Sequence, residues 1–173
     1  MIKNIWHYPN HFKLNELPLR NWLLDNTSLT QRLRKHCKTE FKVKLLKQNW
    51  QYPLTKEIQL LKLPLKQYVI IRHVYLYCQD TPCVFAKTLI PQSTLSGKYR
   101  RLAQLGTRPL GTVLFAHHSL QRSELQIARL KAGDSLYNLA IANLENPPPF
   151  LWARRSIFYL GNKSLLVYEV FLF

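Results

Sequence analysis

The apolar positions of this chain are densest at its C-terminus. From Lys163 to Phe173, Leu165, Val167, Phe171 and Phe173 share one face of a strand with Glu169. Leu166, Tyr168, Val170 and Leu172 fall on the other, because alternate side chains of a strand point the same way. A strand apolar on both faces is expected to be central and covered on both sides. A second apolar run, Leu151 to Leu160, precedes it, joined by Gly161-Asn162, a two-residue hairpin signal. Such a turn pairs Leu160 with Lys163 and sets Arg154 opposite Glu169. A loop one residue different would set Arg155 there instead.

Upstream the pattern is more broken. Residues 1–20 read as an irregular N-terminal segment. Pro18 can open a short helix through Leu24, since proline fits a first helical turn. Ser28 with Gln31 has capping-box spacing for a second helix to about His36, with Leu29 and Leu33 on its apolar stripe. Phe41, Val43 and Leu45 alternate with Lys42 and Lys44, as in a half-buried strand. Residues 49–66 hold Pro53 and Pro64 and read as loop. Tyr68 to Cys78 is the next strand, with Ile70, Arg72, Val74 and Leu76 on one face. Gln79 to Cys83 is a turn, and Val84 to Ile90 is the hairpin partner. Ser93 or Thr94 can cap a helix carrying Leu95, Tyr99, Leu102 and Leu105, with Gly106 at its stop. Residues 108–111 read as a tight loop, Thr112 to Arg122 as a strand, and Asp134 as the cap of a helix to about Asn143. Hairpin links outnumber strand–helix–strand links. The expected fold is therefore α+β, one domain over residues 1–173, with a largely antiparallel sheet and inserted helices.

Charge changes the picture. Lys and Arg number 25 against 9 Asp and Glu, a net charge of +16, which favours anionic partners: nucleic acid, acidic lipid or anionic metabolites. For nucleic acid the basic residues are spread along the chain with no recognised motif, so no such partner is expected. Cys37, Cys78 and Cys83 show no disulfide framework, which points to a reducing compartment. Met1 to Arg20 holds no apolar run of signal-peptide length, and no stretch approaches the roughly 20 apolar residues of a membrane span. A soluble cytoplasmic protein is expected.

Two charged residues, Arg72 and Glu169, lie inside separate apolar strands. A buried charge is costly unless it is paired, neutralised or used. Glu169 could be one half of a structural cross-strand ion pair. Arg72 needs a bidentate acceptor, from the protein or from a ligand carboxylate. The two could pair with each other, or converge on a small ligand bearing a carboxylate and a hydroxyl. Metal binding is poorly supported: His117 and His118 are adjacent and face opposite ways on a strand, and Cys78 and Cys83 lack a second ligand pair. No glycine-rich phosphate loop is present.

Several ordered blocks resemble chorismate pyruvate-lyase: Ile70-Ile71-Arg72-His73-Val74, Thr88-Leu89-Ile90-Pro91, Ser93-Thr94-Leu95-Ser96-Gly97, Leu105 to Gly111, and Leu165 to Leu172. Trp22-Leu23-Leu24, Ser28-Leu29-Thr30 with Arg32, and Trp152 to Ser156 fit as well. The resemblance covers roughly Trp22 to Phe173; the segment Leu130 to Phe150 is longer than in the shortest members. It implies a lyase that removes pyruvate from chorismate to give 4-hydroxybenzoate, the first step toward ubiquinone, with no cofactor or metal. It implies an internal pocket beneath flap-like helical segments. Carried over by motif, Arg72 binds the ring carboxylate, Glu169 contacts the ring hydroxyl, and Leu110 and Leu29 help enclose the ligand. Arg154, Arg155 or Lys87 are candidates for the second carboxylate. An alternative is a non-catalytic small-carboxylate effector-binding module of related fold. The chain is expected to act as a monomer. The product would feed a membrane-bound prenyltransferase, and the excess of Lys and Arg suggests weak, salt-reversible contact with anionic membrane.

Overall fold

A computed structural model describes residues 5–37 and 40–173. Of the irregular N-terminal segment, residues 1–4 lie outside the described residues. The remainder is not loose: it forms two short 3-10 turns, Pro9–His11 and Leu14–Glu16, buries Trp6, and bridges His7 to Ile127.

Among the described residues seven strands form one antiparallel sheet: β1 (Phe41–Gln51), β2 (Val69–Cys78), β3 (Thr81–Pro91), β4 (Leu120–Arg122), β5 (Gln126–Lys131), β6 (Phe150–Leu160) and β7 (Lys163–Phe171). Their order is β1-β2-β3-β7-β6-β4, with β5 also paired to β6. The expected two-residue turn forms, so Leu160 pairs with Lys163 and Arg154 with Glu169. β7 lies between β3 and β6 and is buried along nearly its whole length, as its doubly apolar pattern requires.

Among the described residues five α-helices, α1 (Arg20–Leu23), α2 (Leu29–His36), α3 (Thr55–Leu61), α4 (Leu110–Leu114) and α5 (Ser135–Ile141), are distributed over the two faces. The back face carries Ile71, Tyr75, Leu89, Leu166 and Val170, packed with Leu61 of α3 and Tyr137 and Ala140 of α5. The front face carries two separate apolar clusters. One joins Leu23, Leu29 and Leu33 to Val74, Leu76, Val84 and Phe171. The other joins Leu102 and Leu114 to Ile70, Ile90, Phe158 and Val167.

Several expectations are corrected. Residues 49–66 are not all loop: β1 runs to Gln51, and α3 follows, with the Glu57 side chain accepting from the Leu54 amide to cap its start. Only Leu120–Arg122 of the expected strand over Thr112 to Arg122 is strand; α4 occupies the beginning, reaching back into the expected tight loop at Leu110 and Gly111. The helix expected after Ser93 forms as 3-10 turns, Gln92–Thr94 and Gly97–Gln104, which still bury Leu102, and Leu105 just beyond them. β3 starts at Thr81, shortening the turn after β2. Cys37 and Cys78 are joined in a disulfide, and Cys83 is free and buried. Their 41-residue separation hides the pairing, which arises because Cys37 ends α2 over the far end of β2. The cysteines therefore give no support to a reducing compartment.

Candidate active site

The gap between the two front clusters is the candidate site. Seen from the sequence upward, three strands present polar side chains there. β2 contributes Arg72, β3 contributes Thr88, and β7 contributes Glu169, all among apolar neighbours. Register accounts for the convergence: Arg72 pairs with Thr88, Thr88 with Val167, and Ala86 with Glu169. β3 separates the two charged strands, so they lie about 10 Å apart across the sheet. Thr30 and Leu29 of α2, and Leu110, Gly111 and Leu114 of α4, close the cavity from above. The cavity is partly open and has a free volume of about 60 Å³, room for several waters or a small organic acid at roughly 10–15 Å³ per water.

Arg72 and Glu169 are not each other's partners. Arg72 is 2% exposed and donates to two backbone carbonyls, Gly106 O at 2.7 Å and Arg108 O at 3.2 Å. Among the described residues no carboxylate lies within ion-pair distance of it. Burial, with no opposing acid, pushes its guanidinium down to about 10. Gly106 supports this arrangement: its φ of +56° is a left-handed turn that glycine adopts without a side-chain clash.

Glu169 is embedded in arginine instead. Its Oε2 accepts from Arg154 Nε at 2.5 Å and from Arg122 Nη2 at 3.4 Å. Arg154, fully buried, also donates through Nη1 to Trp22 O at 2.7 Å and Asp25 O at 2.6 Å. One side chain thus ties the strand carrying Glu169 to the loop between α1 and α2. Asp25 secures that loop to α2 through Arg32, at 2.6 Å. Burial alone would raise the Asp25 carboxyl, but hydrogen bonds from Arg32 and Thr27 outweigh it and hold it at about 2.

The four residues singled out from sequence, Arg72, Glu169, Leu110 and Leu29, therefore line one cavity. None of the three candidates for a second carboxylate lines it. Lys87 and Arg155 project from the opposite face of the sheet, where Lys87 pairs with Glu57 at 2.7 Å and Arg155 donates to Gln126. Arg154 is engaged through Nε and Nη1 by Glu169, Trp22 and Asp25, while its buried Nη2 has no partner. The cation that sequence reasoning missed is Arg122, on the short β4, which lines the cavity, packs over Phe158 and donates to Ser156 Oγ at 2.8 Å. No local pattern marks it, because a three-residue strand has too short an alternation to read.

The class of architecture is clear from the topology: an α+β domain with a cavity between an antiparallel sheet and the helices α2 and α4. The effector domain of PhnF from Mycobacterium smegmatis superposes with a TM-score of 0.62 at 10% identity, over 86% of this chain and 90% of that one. The trehalose repressor effector-binding domain from Bacillus subtilis gives 0.54 at 11% identity, over 76% of this chain and 90% of that one. At such identities the likeness is one of fold alone. Sequence carries the assignment further. The family model for chorismate lyase matches residues 1–173. A probable chorismate pyruvate-lyase of Nitrosospira multiformis is 40% identical over 88% of this chain and 85% of its own length. One from Psychromonas ingrahamii is 41% identical over 89% of this chain and 82% of its own length. The chain belongs to the chorismate lyase family, a family of carbon–oxygen lyases.

Proposed function

We propose that this protein is a chorismate pyruvate-lyase, eliminating pyruvate from chorismate to leave 4-hydroxybenzoate, in the first step toward ubiquinone. The observation that carries the reading is Arg72, a buried guanidinium with carbonyl partners and, among the described residues, no acid within ion-pair distance, lining the cavity beneath α2 and α4. A ligand carboxylate supplies the missing charge, and in a site of low dielectric that pairing is strong.

In the proposed complex the ring carboxylate lies against Arg72. The ring spans β3 toward Glu169, packed by Leu29, Val74, Leu110 and Phe158. Both arginine contacts to Glu169 engage Oε2, which leaves Oε1 to accept from the ring hydroxyl. The enolpyruvyl carboxylate takes Arg122. In the reaction the ether C–O bond between ring and side chain breaks, the ring loses one proton and becomes aromatic, and the departing group ends as pyruvate. Aromatisation supplies the driving force, so the protein orients the side chain, stabilises its developing charge and excludes water. Engaged by two guanidiniums, Glu169 is suited to orienting the ring through its hydroxyl, with the ring proton passing directly to the departing side chain.

A non-catalytic effector-binding role is the competing reading, favoured by the fold shared with regulator domains. Turnover separates the two. Purified protein supplied with chorismate is expected to release 4-hydroxybenzoate and pyruvate in equal amounts. Arg72→Ala is expected to weaken substrate binding by at least thirtyfold, or about 2 kcal/mol or more, and Glu169→Ala to lose turnover, both with an unchanged circular dichroism spectrum. Binding of chorismate without conversion by the native chain would overturn the assignment in favour of a sensor.

A further inference from the structure

Large apolar side chains left exposed on this protein are not evenly scattered. Trp50, Tyr52, Leu54, Leu65 and Tyr68 all fall in the connection from the end of β1 to the start of β2. Leu65 is 85% and Leu54 60% exposed. Register brings the ends of this connection together: Trp50 pairs with Ile70 and Gln51 with Val69, so Tyr52 meets Tyr68, their rings 4.0 Å apart. Trp50, Tyr52 and Tyr68 thus gather at one corner of the sheet, beside the open edge of β1, with Leu65 three residues before Tyr68 in the chain, while Leu54 starts α3 over the back face, where it lines a groove with Lys87 and Tyr168.

The charged residues of the same segment are one-sided. Lys47, Lys56, Lys62 and Lys66 are exposed, and the single acid, Glu57, is buried against Lys87. Lys62 and Lys66 have φ of +51° and +66°, a left-handed backbone that favours glycine. Both positions carry a cation all the same. Indole and phenol rings with leucines among lysines match the chemistry of a bilayer interface, where aromatic rings sit at headgroup level and basic residues meet anionic lipid. A second copy of this chain fits less well, because a self-complementary contact would set a basic surface against the same basic surface.

We propose that this corner, with the exposed lysines of the connection between β1 and β2, is a docking surface for the anionic face of a lipid bilayer. It is reversible and salt-sensitive, as expected for a few partly inserted side chains and a small basic cluster. The surface is independent of the lyase chemistry: none of these residues lines the front cavity.

The test is co-sedimentation of the full chain with vesicles of phosphatidylcholine alone, or with about 30 mol% phosphatidylglycerol added. Pelleting is expected only with the anionic vesicles and only at low salt, with a blue shift of tryptophan emission that Trp50→Phe removes. Lys56→Glu, Lys62→Glu and Lys66→Glu combined are expected to weaken binding by roughly a hundredfold or more. Tyr52→Ser with Leu65→Ser is expected to cost about tenfold, with the melting temperature of the native protein retained. The control replaces the same number of exposed cations elsewhere: Lys98→Glu, Arg100→Glu and Arg101→Glu, which should reduce binding far less. Equal recovery on neutral and anionic vesicles overturns the proposal. So does an equal loss in the control, which would reduce the effect to net charge. Sedimentation showing self-association that the Tyr52 and Leu65 variants abolish, with no vesicle binding, assigns the surface to a second copy and overturns it too.

Discussion

Arg154 is the residue through which the site is held together. It binds Glu169, Trp22 and Asp25 at once, so its removal leaves a buried carboxylate facing only a 3.4 Å contact from Arg122. Breaking a buried ion pair in this way costs about 3–5 kcal/mol. Arg154→Ala is expected to lower stability by that order in a denaturant titration. Arg154→Ala combined with Glu169→Gln should recover part of the loss, because the stranded charge is gone. A double variant no more stable than the single one would contradict this role. On the back face, burial together with Lys87 and Lys47 holds the His73 imidazole down at about 4, below its ordinary 6.5. The unfolded chain then binds the proton more readily than the folded one. His73's contribution to stability is complete above about 6.5 and is lost as pH falls toward 4. His73→Gln should flatten the melting temperature over that window, and an unchanged slope would disprove the link.

At the scale of elements, the cavity is a gap held open under two short helices. α2 and α4 touch where Gly111 meets α2: a Cβ on Gly111 would lie 3.0 Å from Thr30 Oγ1 and 3.2 Å from Ser28 Oγ. Ser28 is also the cap of α2. Gly111→Ala therefore presses the two covers apart at the roof of the site. It is expected to change the off-rate of 4-hydroxybenzoate in stopped-flow displacement more than it changes the melting temperature, since alanine favours the helix by up to about 1 kcal/mol and offsets the crowding. A large loss of stability with unaltered release would show that the contact is merely structural. The legibility of these elements followed their physics. The β6–β7 hairpin was readable because two long apolar runs met at Gly161-Asn162, with the choice between Arg154 and Arg155 opposite Glu169 resting on the loop length, and α2 because Ser28 and Gln31 marked its start. α3 was not, because Pro53 and Pro64 flank it and its cap is the side chain of an interior glutamate rather than a serine or aspartate. β5, with Gln126, Arg129 and Lys131 among its six residues, has too few apolar positions to stand out from loop. The residues after Ser93 had the right apolar spacing, but in 3-10 rather than α geometry.

Across the whole molecule, Arg72 and Glu169 were visible from sequence as charges out of place in apolar strands, whereas Arg122 and the exclusion of Lys87 and Arg155 depended on which face each strand turned inward. That face is set by register over the entire sheet, not by any local pattern. The same long-range order pairs Cys37 with Cys78. No helix among the described residues is long and apolar enough to cross a membrane. The +16 charge serves the proposed activity as a whole-molecule field that draws in a dianion, while one uncompensated guanidinium inside the cavity receives it. That receptor role is tested most directly by calorimetric titration with 4-hydroxybenzoate and with its carboxamide analogue, on the native protein and on Arg72→Ala. Tight binding of the acid by the native protein alone, with the amide weak on both, is the predicted result. Equal affinity for acid and amide on the native protein, or acid binding unaffected by Arg72→Ala, would contradict it.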